Sequence, residues 1–309
     1  MKKIIVTLSI LFTISFCTIG CDGGSNIDDG IDVINDILDF EEIIDENSDE
    51  IEGLFKHNDD KNDSKEERIA RNEESSVPYY KDLELPTGKL NKAKENEIVT
   101  HTGYTTCYNT TLLIPMWVAY ELTDEEVVGQ EERSGNFIPD PDVKAWCATT
   151  DDYKHSGFDR GHMAPAADMK WSEQAMHESF YLSNICPQNH NLNAGDWKEL
   201  EEQVRDWAIK NEKVYVVCGP IMKDDYETIG ENRVAVPDSF YKVVLMYKDG
   251  KWRALGFVFA NKAGNKSLDT YAKSVDEVEK ITKLNFFSAL PDEIENEIEK
   301  NSSMEDFEN

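Results

Sequence analysis

The chain has 309 residues and a formal net charge of −30, and this length allows one large domain or two small ones. The acidity is concentrated at the ends, because residues 21–80 hold 20 acidic and 5 basic side chains and residues 291–309 hold 8 and 1. The middle of the chain, 81–290, keeps a net charge of −10. Bulk charge therefore argues against tight, purely electrostatic binding to nucleic acid. The milder charge of the middle weakens that objection for a local phosphate site.

The chain begins with "MKKIIVTLSILFTISFCTIGC", which has the charged start and the apolar run of a secretory signal. The apolar run is too short to remain as a spanning helix. The residues "TIGC" resemble a bacterial lipobox, which implies cleavage before Cys21 and a lipid on its sulfur. The alternative is an ordinary cleaved signal followed by a bystander cysteine. We therefore expect an exported bacterial lipoprotein, periplasmic or at the cell surface, that a lipid on Cys21 anchors to the membrane.

Composition predicts a simple domain organisation after the signal at 1–20. Residues 21–78 are rich in Asp, Glu, Asn and Ser, which indicates an acidic, solvated tether. One globular domain is predicted over 79–291, and residues 292–309 indicate an acidic tail. The domain would hold about 210 residues, which is near the upper size for a single core.

The first predicted elements of the domain are strands. β-Branched, aromatic and other apolar residues predict strands over 98–109, 114–123, 179–185 and 213–222, and a hairpin over 240–261. Asp249-Gly250 supplies the expected hairpin turn.

Two helices accompany these strands. Trp197 and Trp207 recur at helical spacing within 192–211, which favours core packing. In the segment from 274 to 287, Ser274 and Glu277 form a predicted capping box. Together the elements predict an α+β domain with a central sheet flanked by helices.

Four cysteines fall inside the domain, namely Cys107, Cys147, Cys186 and Cys218. An even number in an exported chain permits two disulfides, with three possible connectivities. Because Cys186 and Cys218 lie in apolar segments, either is alternatively a buried free thiol. The spacing does not resemble that of a zinc site.

The segment "FDRGHMAPAADMKW" places three polar side chains within four residues. His162 titrates near neutral pH and can accept a proton from water. Arg160 offers planar donors that suit phosphate oxygens, and Asp159 could orient the turn. From residue chemistry alone, these three side chains suit attack on a phosphodiester. The alternative for so short a motif is a salt-bridged surface loop.

The segment "YLSNICPQNHNLNAGDWKELE" is rich in amides just before a predicted helix. Amide oxygens are neutral, hard ligands for Mg²⁺, which keeps most of its waters. Asn193 and Glu201 recur on one side of the predicted helix, so Glu201 could hydrogen-bond a water on an ion held by Asn193. The alternative is that Asn193 caps the helix and Glu201 is solvated.

These two segments, followed by "VYVVCGPIM", resemble the DNA/RNA non-specific endonuclease family, the ββα-metal or His-Me finger nucleases that include endonuclease G-like enzymes. The resemblance covers about residues 79–291, with "MWVAYELT", "NFIPDP" and "VPDSFYKVVL" as further matching segments. It implies a ββα-metal nuclease fold with a central, mostly antiparallel sheet. It also implies cleavage of both DNA and RNA with a 5′-phosphate product.

The resemblance assigns roles position by position. His162 would deprotonate the attacking water, and Asn193 would be the one protein ligand of a hydrated Mg²⁺, for which Mn²⁺ could substitute. Glu201 would support the waters of the metal, and Arg160 would bind phosphate. Asn184 matches a position near the family's active site.

A second family arginine is expected just before the "NF"-like segment. Here Gly135 directly precedes Asn136, so this chain departs from the family pattern. The nearest arginine, Arg133, is assigned to phosphate binding in its place.

The leading hypothesis is a Mg²⁺-dependent, sequence-non-specific endonuclease of DNA and RNA on an exported lipoprotein. The acidic charge and the departure at Gly135 leave a second hypothesis open. In this hypothesis the chain is a catalytically silent surface module that binds an anionic polymer or a partner protein. A third reading is a phosphodiesterase restricted to small nucleotides.

Overall fold

The structure is a computed structural model that describes residues 76–88, 95–133 and 135–309. The predicted signal segment, the lipid site at Cys21 and the tether as far as residue 75 lie outside the described residues. Val77 is already buried in the core, so packed structure begins slightly before the predicted boundary at 79. Among the helices of the described part, none combines the length and the apolar character needed to cross a bilayer.

The described chain contains a central sheet of seven antiparallel strands and three separate two-stranded sheets. The strands in chain order are β1 (Thr87–Gly88), β2 (Asn96–Thr100), β3 (Thr105–Asn109), β4 (Ile114–Thr123), β5 (Asp159–His162), β6 (Ile185–Gln188), β7 (Lys213–Ile221), β8 (Thr228–Ile229), β9 (Val234–Ala235), β10 (Ser239–Lys248), β11 (Lys251–Ala260), β12 (Ala272–Lys273) and β13 (Leu284–Asn285). The sheet order is β12-β11-β10-β7-β4-β3-β2, and all neighbours run antiparallel. Strands β5 and β6 pair separately from this sheet.

Helices cover both faces of the sheet. The α-helices are α1 (Asp124–Val127), α2 (Thr150–Tyr153), α3 (Glu173–Glu178), α4 (His190–Asn193), α5 (Asp196–Lys210), α6 (Val275–Thr282), α7 (Asp292–Ile298) and α8 (Met304–Glu308), with 3₁₀ turns at Ala166–Met169, Leu182–Asn184 and Leu268–Tyr271. The predicted α+β architecture with a mostly antiparallel sheet is confirmed.

Local signals place several elements correctly. Asp249 and Gly250 both have positive φ, 52° and 78°, which is the backbone that a two-residue hairpin turn between β10 and β11 requires. Ser274 and Glu277 exchange the two hydrogen bonds of a capping box, at 3.2 and 3.0 Å. The helix α6 therefore begins where the sequence predicts.

Two predicted strands differ in extent. Segment 98–109 forms two strands, β2 and β3, joined by a turn at 101–104. The strand predicted over 179–185 starts only at Ile185, because Leu182–Asn184 forms a 3₁₀ turn whose last side chain bonds to neighbouring backbone groups.

Each face of the sheet has its own hydrophobic core. On one face, α5 buries Trp197 and Trp207 against residues that include Phe240 and Phe257. Burial stabilises the fold by about 1.5–3 kcal/mol for each large apolar side chain. The opposite face is covered by residues of α6 and of the chain after it, including Phe286. Alternation along β10 supplies both cores, since successive side chains of a strand point to opposite faces.

The predicted acidic tail, 292–309, folds into helices and packs on the domain. It contains α7 and α8, and Ile298 and Phe307 are buried. The Phe307 ring meets Trp207 edge-on, with 4.9 Å between centroids. The prediction of an acidic tail did not include these apolar anchors, because isolated apolar residues in a strongly acidic segment give a weak sequence signal.

All four domain cysteines are free thiols in the structure. Cys186 and Cys218 are fully buried, as the buried-thiol alternative expected. Burial raises the pKa of the Cys218 thiol to about 11, so this thiol is protonated at neutral pH.

Candidate active site

The motif "DRGH" is strand β5, rather than a loop, and it pairs with β6. The register aligns Asp159 with Gln188 and His162 with Ile185. A Cβ atom at Gly161 would lie 2.2 Å from Oε1 of the buried Gln188, so the close approach of the two strands requires glycine here. Because β6 leads directly into α4 and α5, the two strands and the following helical segment form a ββα unit.

His162 lies at the end of β5 within an aromatic enclosure. Its ring centroid is 5.3 Å from that of Phe137 and 5.1 Å from that of Phe180, and the residue is 8% exposed. Burial, followed by the nearby positive charge of Arg133, lowers the pKa of His162 from 6.5 to about 3. The imidazole is therefore neutral at ordinary pH, and its Nε2 has no hydrogen-bond partner in the described part of the chain.

Asn184 holds the backbone that follows His162. Its Nδ2 donates to the carbonyl oxygens of Ala164 and Ser179, both at 2.8 Å, and its Oδ1 accepts from the Ala164 amide at 2.9 Å. The side chain is fully buried. Its amide is thus engaged with the protein backbone and fixes the turn after β5.

A buried polar cluster braces the segment that carries Phe137. Nε2 of His101 lies 3.0 Å from Oδ2 of Asp140, and the Ser183 hydroxyl donates to the same carboxylate oxygen. Ligand atoms of His101, Asp140 and Asp142 also lie within 4.8 Å of one another, close enough to reach one metal ion. Since Ser183 directly precedes Asn184, the cluster connects the Phe137 segment to the turn beside His162.

Asn193 is tied to the same strand as His162. Its Nδ2 donates to Oδ2 of Asp159 at 2.9 Å, and Nδ1 of His190 lies 2.9 Å from that oxygen. With the nitrogen engaged, the amide oxygen of Asn193 is the end that can meet a ligand. The nitrogen and oxygen are assigned from this hydrogen bond.

The predicted continuous helix over 192–211 is wrong at its start. Asn193 ends α4, whereas Glu201 belongs to α5. The break falls at Gly195, whose φ of −113° and ψ of −114° are far from helical values. Asn193 is therefore presented from a separate turn, and its position relative to Glu201 does not follow from four-residue helical spacing.

A buried charge network lies beside Glu201 on the sheet side of α5. Burial raises the pKa of Glu201 to about 7, an effect opposed by the positive charges of Lys242 and Arg205. Arg205 forms an ion pair with Asp168 at 2.8 Å, and the Tyr120 hydroxyl donates to the other oxygen of Asp168 at 2.9 Å. Two cations thus balance two carboxylates, as burial of charge requires.

Two exposed arginines flank the His162 enclosure. The guanidinium of Arg160 lies 4.5 Å from the centroid of Phe137, and that of Arg133 lies 5.3 Å from the centroid of Phe180. A Cβ atom at Gly135 would lie 2.3 Å from the Phe180 ring. A side chain at 135 would therefore collide, while Arg133 reaches the same ring from two residues upstream.

The sequence did not reveal the aromatic enclosure or the charge network. Phe137 was visible only as part of the family-like "NFIPDP", and Phe180 lay within the strand predicted over 179–185 without a chemical role. Lys242 is fully buried, with its Nζ 4.6 Å from the Trp197 ring. Its isolated charge within the apolar "FYKVVLM" run is the signal that would have found it.

Comparison with known proteins shows which family the chain belongs to. The model of the DNA/RNA non-specific endonuclease family matches residues 87–293. The chain is 42% identical over 207 residues to the mitochondrial nuclease EXOG of Danio rerio, covering 62% of this chain and 60% of that protein. It is 37% identical over 166 residues to human mitochondrial endonuclease G, covering 50% of this chain and 56% of that protein. The chain therefore spans about 60% or less of the length of these curated relatives.

A solved structure shows the same fold. The crystal structure of the EndoG/EndoGI complex superposes with a TM-score of 0.60 at 31% identity, over 64% of this chain and 88% of that chain. The expected ββα-metal nuclease fold is confirmed by this match.

The comparisons also correct the expected location. The prediction of an exported, membrane-anchored bacterial lipoprotein is contradicted, because similar curated proteins such as EXOG and endonuclease G are mitochondrial nucleases. The lipobox-like "TIGC" was the basis of that prediction, and it is a short motif outside the described residues.

The family model covers the ββα unit, both flanking arginines and most of the central sheet. The chain belongs to the DNA/RNA non-specific endonuclease family.

Proposed function

We propose that the chain is a Mg²⁺-dependent endonuclease that hydrolyses phosphodiester bonds of DNA and RNA without sequence specificity. One observation supports this most strongly: Asp159 binds the Asn193 amide at 2.9 Å from the strand that ends at His162. A neutral base and a candidate metal ligand are thereby carried by one small unit. The match to the endonuclease family supports the same activity.

The donor set fits a hydrated Mg²⁺ ion, and Mn²⁺ would serve similarly. Asn193 would hold the ion through its amide oxygen, since its nitrogen is occupied by Asp159. One neutral oxygen ligand is sufficient for Mg²⁺, which retains several waters. When bound, the ion supplies Lewis-acid stabilisation of charge on the phosphate and leaving oxygens.

The chain's own residues divide the remaining work. His162, which burial keeps neutral, takes the proton of the attacking water. Arg160 and Arg133 bind phosphate oxygens and add positive charge where negative charge develops. Glu201 would accept a hydrogen bond from a water of the ion when the ion is bound. Asn184 keeps His162 in place through the backbone rather than contacting substrate, because its amide is already engaged.

Low sequence preference follows from the kind of contact. Arg160 and Arg133 are exposed, and guanidinium groups there would meet phosphates. Phosphate contacts position a nucleic acid without reading its bases. The local positive charge of these two arginines would offset the acidity of the whole chain near the site.

Cleavage of supercoiled plasmid and of a long RNA tests the proposal. With Mg²⁺ we expect both polymers to be degraded to short products, and with EDTA we expect neither to be cut. Restored cutting on addition of excess Mg²⁺ or Mn²⁺ completes the expected result. Binding without cutting in any metal would favour the silent module instead, and cutting of a dinucleotide ester but not of plasmid would favour a small-nucleotide phosphodiesterase.

The raised pKa of Glu201 predicts that nuclease activity depends on pH. The pKa of about 7 means that activity should decline as pH falls through 7, because protonated Glu201 no longer accepts a hydrogen bond through both oxygens. The pKa of His162, about 3, is too low to cause that decline. Glu201→Gln should lower kcat by about 10–100-fold and flatten the profile between pH 6 and 8.

The exposed neighbour Glu202 provides a matched control, since Glu202→Gln makes the same charge change on α5. It should keep both the rate and the decline near pH 7. A profile that still falls through pH 7 in Glu201→Gln would contradict this role for Glu201.

A further inference from the structure

Four carboxylates converge where α6 meets α7, on the face of the sheet opposite α5. Asp276 and Glu279 belong to α6, Glu295 to α7, and Glu299 follows α7 directly. Ligand oxygens of Asp276, Glu279 and Glu299 all lie within 4.8 Å of one another. The Asp276 amide also donates to the Glu299 carbonyl oxygen at 3.1 Å, so the backbone fixes this meeting of helix ends.

Two of these side chains are buried with unsatisfied oxygens. Glu299 is 6% exposed and Glu295 is 9% exposed, and Oε1 of each is buried without a hydrogen-bond partner. Within the described ranges, no lysine, arginine or histidine forms an ion pair with any of the four carboxylates. A buried carboxylate without a cation or a full set of hydrogen bonds is strongly unfavourable.

The electrostatics point in the same direction. Burial, then the charges of Glu279, Glu295 and Asp276, and a hydrogen bond between the Glu299 and Glu279 side chains, raise the pKa of Glu299 to about 8. The pKa values of Glu279 and Glu295 are also raised, mainly by burial. The cluster therefore demands positive charge, which either a bound cation or a shared proton could supply.

The geometry favours a calcium ion. Three oxygens within 4.8 Å of one another lie no more than about 2.8 Å from a common centre, which is close to the 2.3–2.6 Å typical of Ca²⁺. Ca²⁺ also takes 6–8 oxygen ligands in flexible geometry. The ligand set contains carboxylates only, and a site for zinc or copper would be expected to include nitrogen or sulfur. Mg²⁺ is less suited, because it holds its waters and requires near-ideal octahedral geometry.

We propose that Asp276, Glu279 and Glu299, with Glu295 beside them, bind a structural Ca²⁺ ion that joins the C-terminal segment to the domain. Glu295 and Glu299 lie beyond residue 293, where the family match ends. The site is also separate from the candidate active site, since Val278 and Ile298 pack in one core while Trp197 packs in the other. Its role is stability, independent of the proposed nuclease activity.

Thermal unfolding of the full chain tests this site in an Asn193→Ala background, which removes the candidate active-site ligand. Saturating Ca²⁺ should raise Tm, by roughly 5 °C at a concentration a hundredfold above Kd, and calorimetric titration should give one ion per chain. Glu299→Gln should abolish the Ca²⁺ shift while leaving the metal-free Tm unchanged or higher, because one buried charge is removed. Glu297→Gln, an exposed carboxylate of α7, should retain the full shift.

Three results would overturn the proposal. One is a Tm that Ca²⁺ leaves unchanged, together with a more stable Glu299→Gln variant, which identifies a shared-proton pair. Another is an equal Ca²⁺ shift with and without Glu299→Gln, which places the ion elsewhere. The third is loss of the shift in Glu297→Gln as well, which indicates only diffuse attraction to an acidic surface.

Discussion

His162→Ala should lower kcat on plasmid DNA by about 10²–10⁴, the usual contribution of a positioned general base, while the protein remains folded. The reason is that His162 combines a neutral ring with an unpartnered Nε2, so it can take a proton without first losing one. Single-turnover cleavage at pH 7.5, with circular dichroism and Tm measured on the same samples, checks the prediction. KM should change little, because phosphate is bound by other side chains.

The matched control is His177→Ala, which removes an exposed imidazole from α3. It should leave kcat unchanged. A folded His162→Ala protein that cuts plasmid at close to the normal rate would refute the assignment.

The same substitution has a stability signature. Between pH 6.5 and about 3, His162 binds a proton in the unfolded chain but not in the folded one. More protons bound to the unfolded state means that the free energy of unfolding falls as pH is lowered through that window. His162→Ala removes this contribution, so its stability should decline less steeply with acid than that of the unaltered protein.

The sequence singled out candidate site residues, but it did not predict their surroundings. His162 and Asn193 could be singled out because the chemical use of an imidazole and of an amide depends on residue type. The enclosure by Phe137 and Phe180 could not be foreseen, because those residues meet His162 only through tertiary packing. The strand identity of "DRGH" was missed for a related reason, since β5 is stabilised by pairing with β6.

The misplaced helix start has a different physical cause. Side-chain periodicity continues through "LNAGDW". A single glycine is tolerated within a helix, so Gly195 did not by itself predict the non-helical backbone at this position. Helical spacing had joined Asn193 to Glu201, but the hydrogen bond to Asp159 is what orients the amide. The prediction that Asn193 holds a metal ion therefore rests on the family resemblance and on the hydrogen bond to Asp159, rather than on helical spacing.

Tertiary packing also determines the structure of the C-terminal segment. The acidic composition of 292–309 favours solvent, yet Phe307 inserts beside Trp207 and the Trp207 Nε1 donates to Glu308 at 3.0 Å. One buried aromatic ring and one directional hydrogen bond outweigh the preference of the surrounding carboxylates for water. Composition averages over the segment and cannot report such anchors.

Asn193→Ala should lower kcat by roughly 10³ or more, because Lewis-acid stabilisation contributes several kcal/mol and each 1.36 kcal/mol is tenfold in rate. Affinity for Mn²⁺ should fall with it, which separates loss of the ion from loss of chemistry. The measurement is Mn²⁺ binding by electron paramagnetic resonance, alongside kcat at saturating metal. Both proteins should carry Glu299→Gln, so that the C-terminal carboxylate cluster does not contribute to binding.

Two further substitutions make this test specific. Asn191→Ala removes an exposed amide from the same short helix and should leave both Mn²⁺ affinity and kcat unchanged. Asn193→Asp should also fail to restore activity, because it replaces the donor 2.9 Å from Oδ2 of Asp159 with a like-charged oxygen. Unchanged Mn²⁺ affinity in Asn193→Ala would show that the ion is held elsewhere. Full activity in Asn193→Asp would show that the hydrogen bond to Asp159 does not orient the ligand.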